Sequence, residues 1–152
     1  MITVSRICAD AFKDSIFSGE GAFRNGGRWN SQGNRVVYTA QSLSLAILEL
    51  LVHLDARQVK NNFVSAEAKF QVDIVSEIDL SQTWLTSASP DEFKVIGDRW
   101  IRDNKSAILR VPSIISKQEY NYLFNPKHPD FSKITLHETA AFTFDPRLLK
   151  QE

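Results

Sequence analysis

A single cysteine, Cys8, in 152 residues excludes an intrachain disulfide and a cysteine-based metal site. It fits a reducing compartment, and its strand-like surroundings make it a core residue. Excess charge is missing as well, since 18 basic residues balance 18 acidic ones. No uniform field exists to gather phosphate backbones or anionic lipid, so neither nucleic acid nor a membrane surface is expected as a direct partner. No apolar run approaches the roughly 20 residues that span a bilayer. The stretch "MITVSRICAD" has neither the basic nor the apolar segment of a secretion signal. A cytoplasmic protein is the expectation.

Familiar chemical signatures are absent too. There is no G-x-G-x-x-G dinucleotide turn, no P-loop, no His-Glu-x-x-His zinc motif and no Gly-x-Ser-x-Gly nucleophile elbow. The three histidines are scattered, so no metal site is expected. What remains is 43% hydrophobic content, enough for one core and one domain over residues 1–152.

The periodicities outline that domain. "ITVSRI" reads as a first strand, and the glycine-bearing stretch from Ala9 to Gly33 as an irregular loop. "RVVYTA" is a strand, and Ser42 or Thr39 caps a helix through "LSLAILELLVHLDA". Val64, Ala66, Ala68, Phe70 and Val72 alternate with polar residues, as in a strand with one wet face. "SPDEFKVIGDRWIRDN" is a second helix with Phe93, Ile96, Trp100 and Ile101 on its apolar side. "SAILRVPS" is a strand ended by Pro112, "KQEYNYLFNPKHPDF" a helical turn opening into a loop, and Ile134 to Phe144 a closing strand. Strands outnumber helices without alternating with them, which predicts an α+β fold with mixed or antiparallel sheets.

Two places carry chemistry. On the leucine-rich helix, Ser42, Ala46, Glu49 and His53 share an arc of roughly 60°. Apolar residues on nearly every other side predict that this helix is buried, and a bare carboxylate there costs several kcal/mol. Glu49 must therefore pair with a cation, take up a proton or face a solvated cleft. His53 reads as a helix C-terminal cap or a packed side chain. In "GGRWNSQG", Gly26 and Gly27 permit close backbone approach, and Arg28 offers a rigid fork for phosphate or carboxylate. The same residues also suit a turn into a strand, with Trp29 as a core anchor.

Taken in order, "GEGAFRNGGRWNSQGNRVVYTAQSLSLAILELLVHL", "ILRVPS" and "EYNYLFNPKHPDF" resemble the RES domain family, the toxin halves of bacterial toxin–antitoxin pairs. The likeness runs from "SRI" to "FDPRLL". It implies an ADP-ribosyltransferase-like fold and an enzyme that consumes NAD+ as substrate, with no metal and no resident cofactor. Arg28, Glu49 and Ser113 match the family's named Arg, Glu and Ser, and the resemblance makes them catalytic. Arg6 and Tyr38 match positions that contact the ligand. No role transfers to Arg35. Ser113 is left two roles, bonding the ribose or steadying Glu49.

The implied reaction breaks the nicotinamide–ribose bond and passes through an oxocarbenium-like sugar, as in glycoside cleavage. The leaving ring is neutral and needs no acid. A fixed carboxylate in a dry site offsets the developing charge, and arginine forks clamp the diphosphate. Water or phosphate as acceptor gives NAD+ depletion, and a protein side chain gives ADP-ribosylation. A noncatalytic nucleotide-binding module is the remaining class. The expected partner is an Xre-like antitoxin, and a homodimer or a toxin–antitoxin hetero-oligomer stays open.

Overall fold

The computed structural model describes residues 1–78 and 80–148; Leu149, the last residue of "FDPRLL", and the three residues after it lie outside the described residues. In chain order the elements are β1 (Ile2–Ala9), α1 (Glu20–Asn25), β2 (Val37–Ala40), α2 (Leu43–Leu51), β3 (Phe63–Phe70), β4 (Val75–Glu77), α3 (Gln82–Ser87), α4 (Pro90–Asp103), β5 (Ile108–Pro112), β6 (Tyr120–Phe124), β7 (Thr135–Leu136) and β8 (Ala140–Phe142). The strands form one sheet in the order β4-β5-β6-β2-β1-β3-β7, with β8 also pairing β3. β4 runs parallel to β5, and the other described pairs are antiparallel. The fold is α+β with a mixed sheet, as the excess of strands predicts.

Alternation along the strands sends side chains to two cores. Ile108, Tyr122 and Phe124 join Val4, Val37, Ala68 and Phe70 on one side. Leu109, Val111 and Leu123 pack on the other side against Trp29, Leu85, Phe93 and Trp100, so α4 and α3 cover that face. Ser89 and Glu92 close a capping box at the start of α4, with Pro90 in its first turn. Phe93, Gly97 and Trp100 then fall on its buried side.

Several expectations need correction. The stretch after β1 contains α1, bounded by Gly19 and Gly26 at positive φ at its two ends and carrying Gly21 within it. β3 stops at Phe70, and Val72 opens a 3-10 turn at 63% exposure. "YNYLF" is not a helical turn but the strand β6 between β2 and β5, its last three residues buried. A strand buried on both faces loses the alternation that announces a strand. The closing strand is split into β7 and β8 by His137–Thr139, and β4 and α3 were not anticipated. Cys8 is half-buried rather than core, beside Ile16, Val64 and Ala66. Burial pushes its thiol pKa up, the nearby Arg6 working against that shift.

The leucine-rich helix is also shorter and wetter than its composition implies. Ser42 caps α2 by accepting the Leu45 N–H at 3.1 Å, and the helix tightens into i→i+3 turns after Leu51. Leu45 and Ala46 pack on the sheet beside Ile7, Ala40 and Phe63, while Leu43, Leu48 and Val52 stay exposed. α2 lies over the sheet on one side only. Glu49 is therefore half-buried rather than sealed in hydrocarbon.

Candidate active site

One oxygen of Glu49 takes two short bonds. Its Oε1 accepts from the Ser113 hydroxyl at 2.6 Å and from the Asn121 amide Nδ2 at 2.7 Å. Ser113 lies at the end of β5 and is fully buried, and its Oγ also accepts the backbone N–H groups of Ile115 and Ser116 at 3.2 and 3.1 Å. The serine proton is thus committed to Glu49 and its lone pairs to the following turn. Asn121 belongs to β6; its amide must point Nδ2 at the carboxylate, because the reverse orientation sets two acceptors against each other. Its Oδ1 is buried with no partner among the described residues. Both donors are neutral, so they orient Glu49 without cancelling its charge. Oε2 has no protein partner among the described residues.

The Arg28 turn lines the same cavity as this carboxylate. Gly27 and Asn30 pair as a two-rung bridge, and Gly26 enters it at φ +72°, in the left-handed region that favours glycine. A Cβ on Gly27 meets the Tyr38 hydroxyl at 2.6 Å, which is why the second glycine is needed. Between the rungs, Trp29 goes into the core at 2% exposure, and the Arg28 guanidinium lies over the Phe93 ring at 5.3 Å. Asn30 is fully buried and donates through Nδ2 to the carbonyls of Ala22, Ser31 and Asn34, stitching the loop together.

Tyr38, on β2, donates to Asn30 Oδ1 at 2.7 Å and accepts from the Trp29 N–H at 3.0 Å. Burial raises its pKa well above the usual phenol range, outweighing the Trp29 bond, so the hydroxyl stays a neutral donor. Arg6, on β1, donates through Nε to the Ile16 carbonyl and through a terminal nitrogen to the Tyr38 carbonyl, both at 2.8 Å. Burial works against its charge and lowers its pKa. Neither Arg6 nor Arg28 has a carboxylate within ion-pair distance among the described residues.

A cavity of about 360 Å³ joins these groups: Arg6, Arg28, Tyr38, Glu49 and Asn121 all line it, with His53 at its exposed rim. Ser113 lies behind the wall and reaches it only through Glu49. Arg35 points elsewhere, bonding Glu20 and stacking on Phe23 at 4.5 Å. No group of three His, Cys, Asp or Glu side chains among the described residues is arranged to hold a metal ion. No helix of the described residues is long and apolar enough to cross a membrane. Asn121 is the residue the sequence reading missed, hidden inside an aromatic run whose strand it did not recognise.

Ser113→Ala removes one donor from Glu49 and the acceptor of two turn amides. The expected cost is about 2 kcal/mol. For a chain of this length that is a fall in Tm of roughly 4–8 °C, read from a thermal melt; an unchanged Tm contradicts the double role of the hydroxyl.

A mixed sheet that sets the Glu49 carboxylate and the Arg6 and Arg28 guanidinium groups round one cleft defines a small α+β protein with a charge-lined site. The RES domain model matches residues 3–145, and the chain belongs to that family. It is 31% identical to the Prs ADP-ribosylating toxin of Sphingobium sp. (strain YBL2), over 96% of either chain. It is 33% identical to Toxin Res of Yersinia enterocolitica (94% of this chain, 97% of that one) and 34% identical to Toxin Res of Photorhabdus laumondii (95% and 96%). Among solved structures, a chain of the M. tuberculosis MbcT–MbcA toxin–antitoxin complex superposes with a TM-score of 0.75. That likeness covers 97% of this chain and 86% of the other at 16% identity, and it is one of fold alone.

Proposed function

We propose that this chain is the toxin of a toxin–antitoxin pair and that it cleaves the nicotinamide–ribose bond of NAD+. One observation carries the reading: a carboxylate oriented by neutral donors shares a cavity with two guanidinium groups, and among the described residues neither its second oxygen nor those guanidinium groups have a partner of opposite charge. A cleft built this way suits a ligand with an anionic diphosphate at one end and a sugar that becomes cationic at the other. Arg28 and Arg6 take the diphosphate, and the Tyr38 ring offers a face to the nicotinamide. Glu49 Oε2 stands toward the ribose. As the C1′–N bond breaks, its electron pair leaves with nicotinamide, which departs neutral, and Glu49 offsets the positive charge left on the sugar. Water or phosphate then adds to C1′ and gives up a proton. Ser113 and Asn121 hold the carboxylate in place.

The second reading moves ADP-ribose to a protein side chain through the same site. The name of the Sphingobium relative, an ADP-ribosylating toxin, favours it. The two readings differ only in acceptor. NAD+ labelled in its adenosine half separates them, because label stays soluble in the first and appears on a protein in the second. Running the soluble reaction with and without phosphate then distinguishes hydrolysis from phosphorolysis.

In cells, induced expression is expected to drop the NAD+ pool before growth stops, and co-expression of an antitoxin to prevent both. Arrested growth with an undiminished pool contradicts NAD+ depletion. Arg28→Ala is expected to weaken NAD+ binding about 10- to 100-fold, the usual worth of a charged hydrogen-bonding group, while kcat falls less. Titration calorimetry in a Glu49→Gln background, where NAD+ is not consumed, checks the affinity, and an unchanged Kd removes Arg28 from the ligand.

A further inference from the structure

The Arg28 turn hangs on a neighbouring helix. Lys94, Gly97 and Asp98 are spaced i, i+3, i+4 and so share one side of α4, and each engages a different part of residues 27–34. The Lys94 ammonium donates to the carbonyls of Gly27 and Asn30, at 3.0 and 3.4 Å, the two residues that close the turn round Arg28. Gly97 admits the Trp29 carbonyl so closely that a Cβ stands 1.6 Å from its oxygen. The Asp98 carboxylate takes the Ser31 N–H at 2.9 Å, the Ser31 hydroxyl at 2.6 Å and the Asn34 amide at 2.9 Å. Partial burial opposes the Asp98 charge, but these bonds and the charge of Lys94 more than compensate and hold its pKa below the ordinary value. Phe93, on the same helix, carries the Arg28 guanidinium on its ring.

Glu49 depends on none of this. Its bonds come from β5 and β6. We propose that the Lys94–Gly97–Asp98 side of α4 is the positioning element for Arg28, setting how tightly the cleft holds its anionic ligand and not how fast the bond breaks. The inference rests on the reading of Arg28 as a clamp for the diphosphate of NAD+. A guanidinium fork gives its full strength only in bidentate register, so a turn displaced by a fraction of an ångström loses affinity first.

Steady-state nicotinamide release by the full chain tests this with Lys94→Met, Lys94→Arg, Asp98→Asn, Arg28→Ala and the Arg28→Ala/Lys94→Met pair. Lys94→Met and Asp98→Asn are expected to raise the KM for NAD+ about tenfold with kcat held within about threefold. Lys94→Arg keeps charge and donors and is expected to restore KM to within about threefold of wild type. In the Arg28→Ala background Lys94→Met is expected to shift KM by less than about twofold, since the two act through one contact. Equal effects of Lys94→Met in both backgrounds, or a loss of kcat at unchanged KM in the single variants, overturn the positioning role while the functional reading stands. A wild-type protein that releases no nicotinamide overturns the functional reading, and the inference with it.

Discussion

Replacing Glu49 by Gln is expected to cut nicotinamide release by about 10²-fold or more, the usual result of removing a preorganised charge-stabilising group. The substitution keeps the shape of the side chain and a carbonyl oxygen that can accept from Ser113 and Asn121. Only the charge is lost. Because the two donors are neutral, no cation is left stranded and the fold has little reason to suffer. Melting temperature is therefore expected to move by no more than a few degrees, within the range of an ordinary substitution. A Gln variant that melts like wild type and keeps its rate within a few-fold places Glu49 outside the chemistry.

Gly97→Ala is expected to have the largest effect on stability. The added Cβ stands 1.6 Å from the Trp29 carbonyl oxygen and 2.7 Å from its carbon, so backbone rather than a flexible side chain is in the way. Alanine is the better helix former, worth about 1 kcal/mol in an exposed helix. That gain is overwhelmed here. The turn must lift off α4, breaking the Lys94 and Asp98 bonds and drawing Trp29 from its T-shaped contact with Phe93, whose rings lie 5.0 Å apart. Overpacking of this kind costs about 3 kcal/mol or more. Tm is expected to fall by roughly 6–12 °C in a thermal melt. A variant as stable as wild type contradicts the close seating of the turn on the helix.

How much of this was legible in the sequence depends on where the partners lie along the chain. β3 and α4 announce themselves through period-two and helical spacing, because each has a wetter side. β2 and β5 are buried along most of their length and are legible instead from β-branched and apolar content, β5 closed by Pro112. β6 is not, since burial on both faces erases the alternation, and with it went Asn121. α3, β4, β7 and β8 are too short to leave a pattern. The polar stripe on α2 marked Glu49, and the paired glycines marked Arg28, because both are local irregularities. The structure brings these two residues, with Arg6 and Tyr38, round one cavity. Ser113 and Asn121 bond Glu49 across separations of 64 and 72 residues, and Lys94 reaches Gly27 across 67. No local signature encodes such pairings. Gly97 left a fainter trace, since a glycine inside a helical pattern costs about 1 kcal/mol against alanine and asks for a packing reason, but the sequence does not name the neighbour.

The exposure of α2 is likewise not encoded in its composition. A leucine-rich stretch predicts burial on every side, yet the helix has only the sheet beneath it, and Leu48 and Val52 remain 43% and 61% exposed. Composition sets how much apolar surface a helix carries. The surrounding chain decides how much of it is covered.

The proposed chemistry needs a cleft in which the Glu49 carboxylate faces a sugar that becomes cationic while the Arg6 and Arg28 guanidinium groups hold its diphosphate. The most direct test is a time course of free nicotinamide from purified protein and NAD+, separated by chromatography. Nicotinamide is expected to accumulate well beyond one equivalent per protein when an acceptor is present. Intact NAD+, with nicotinamide no higher than in a protein-free control, contradicts it.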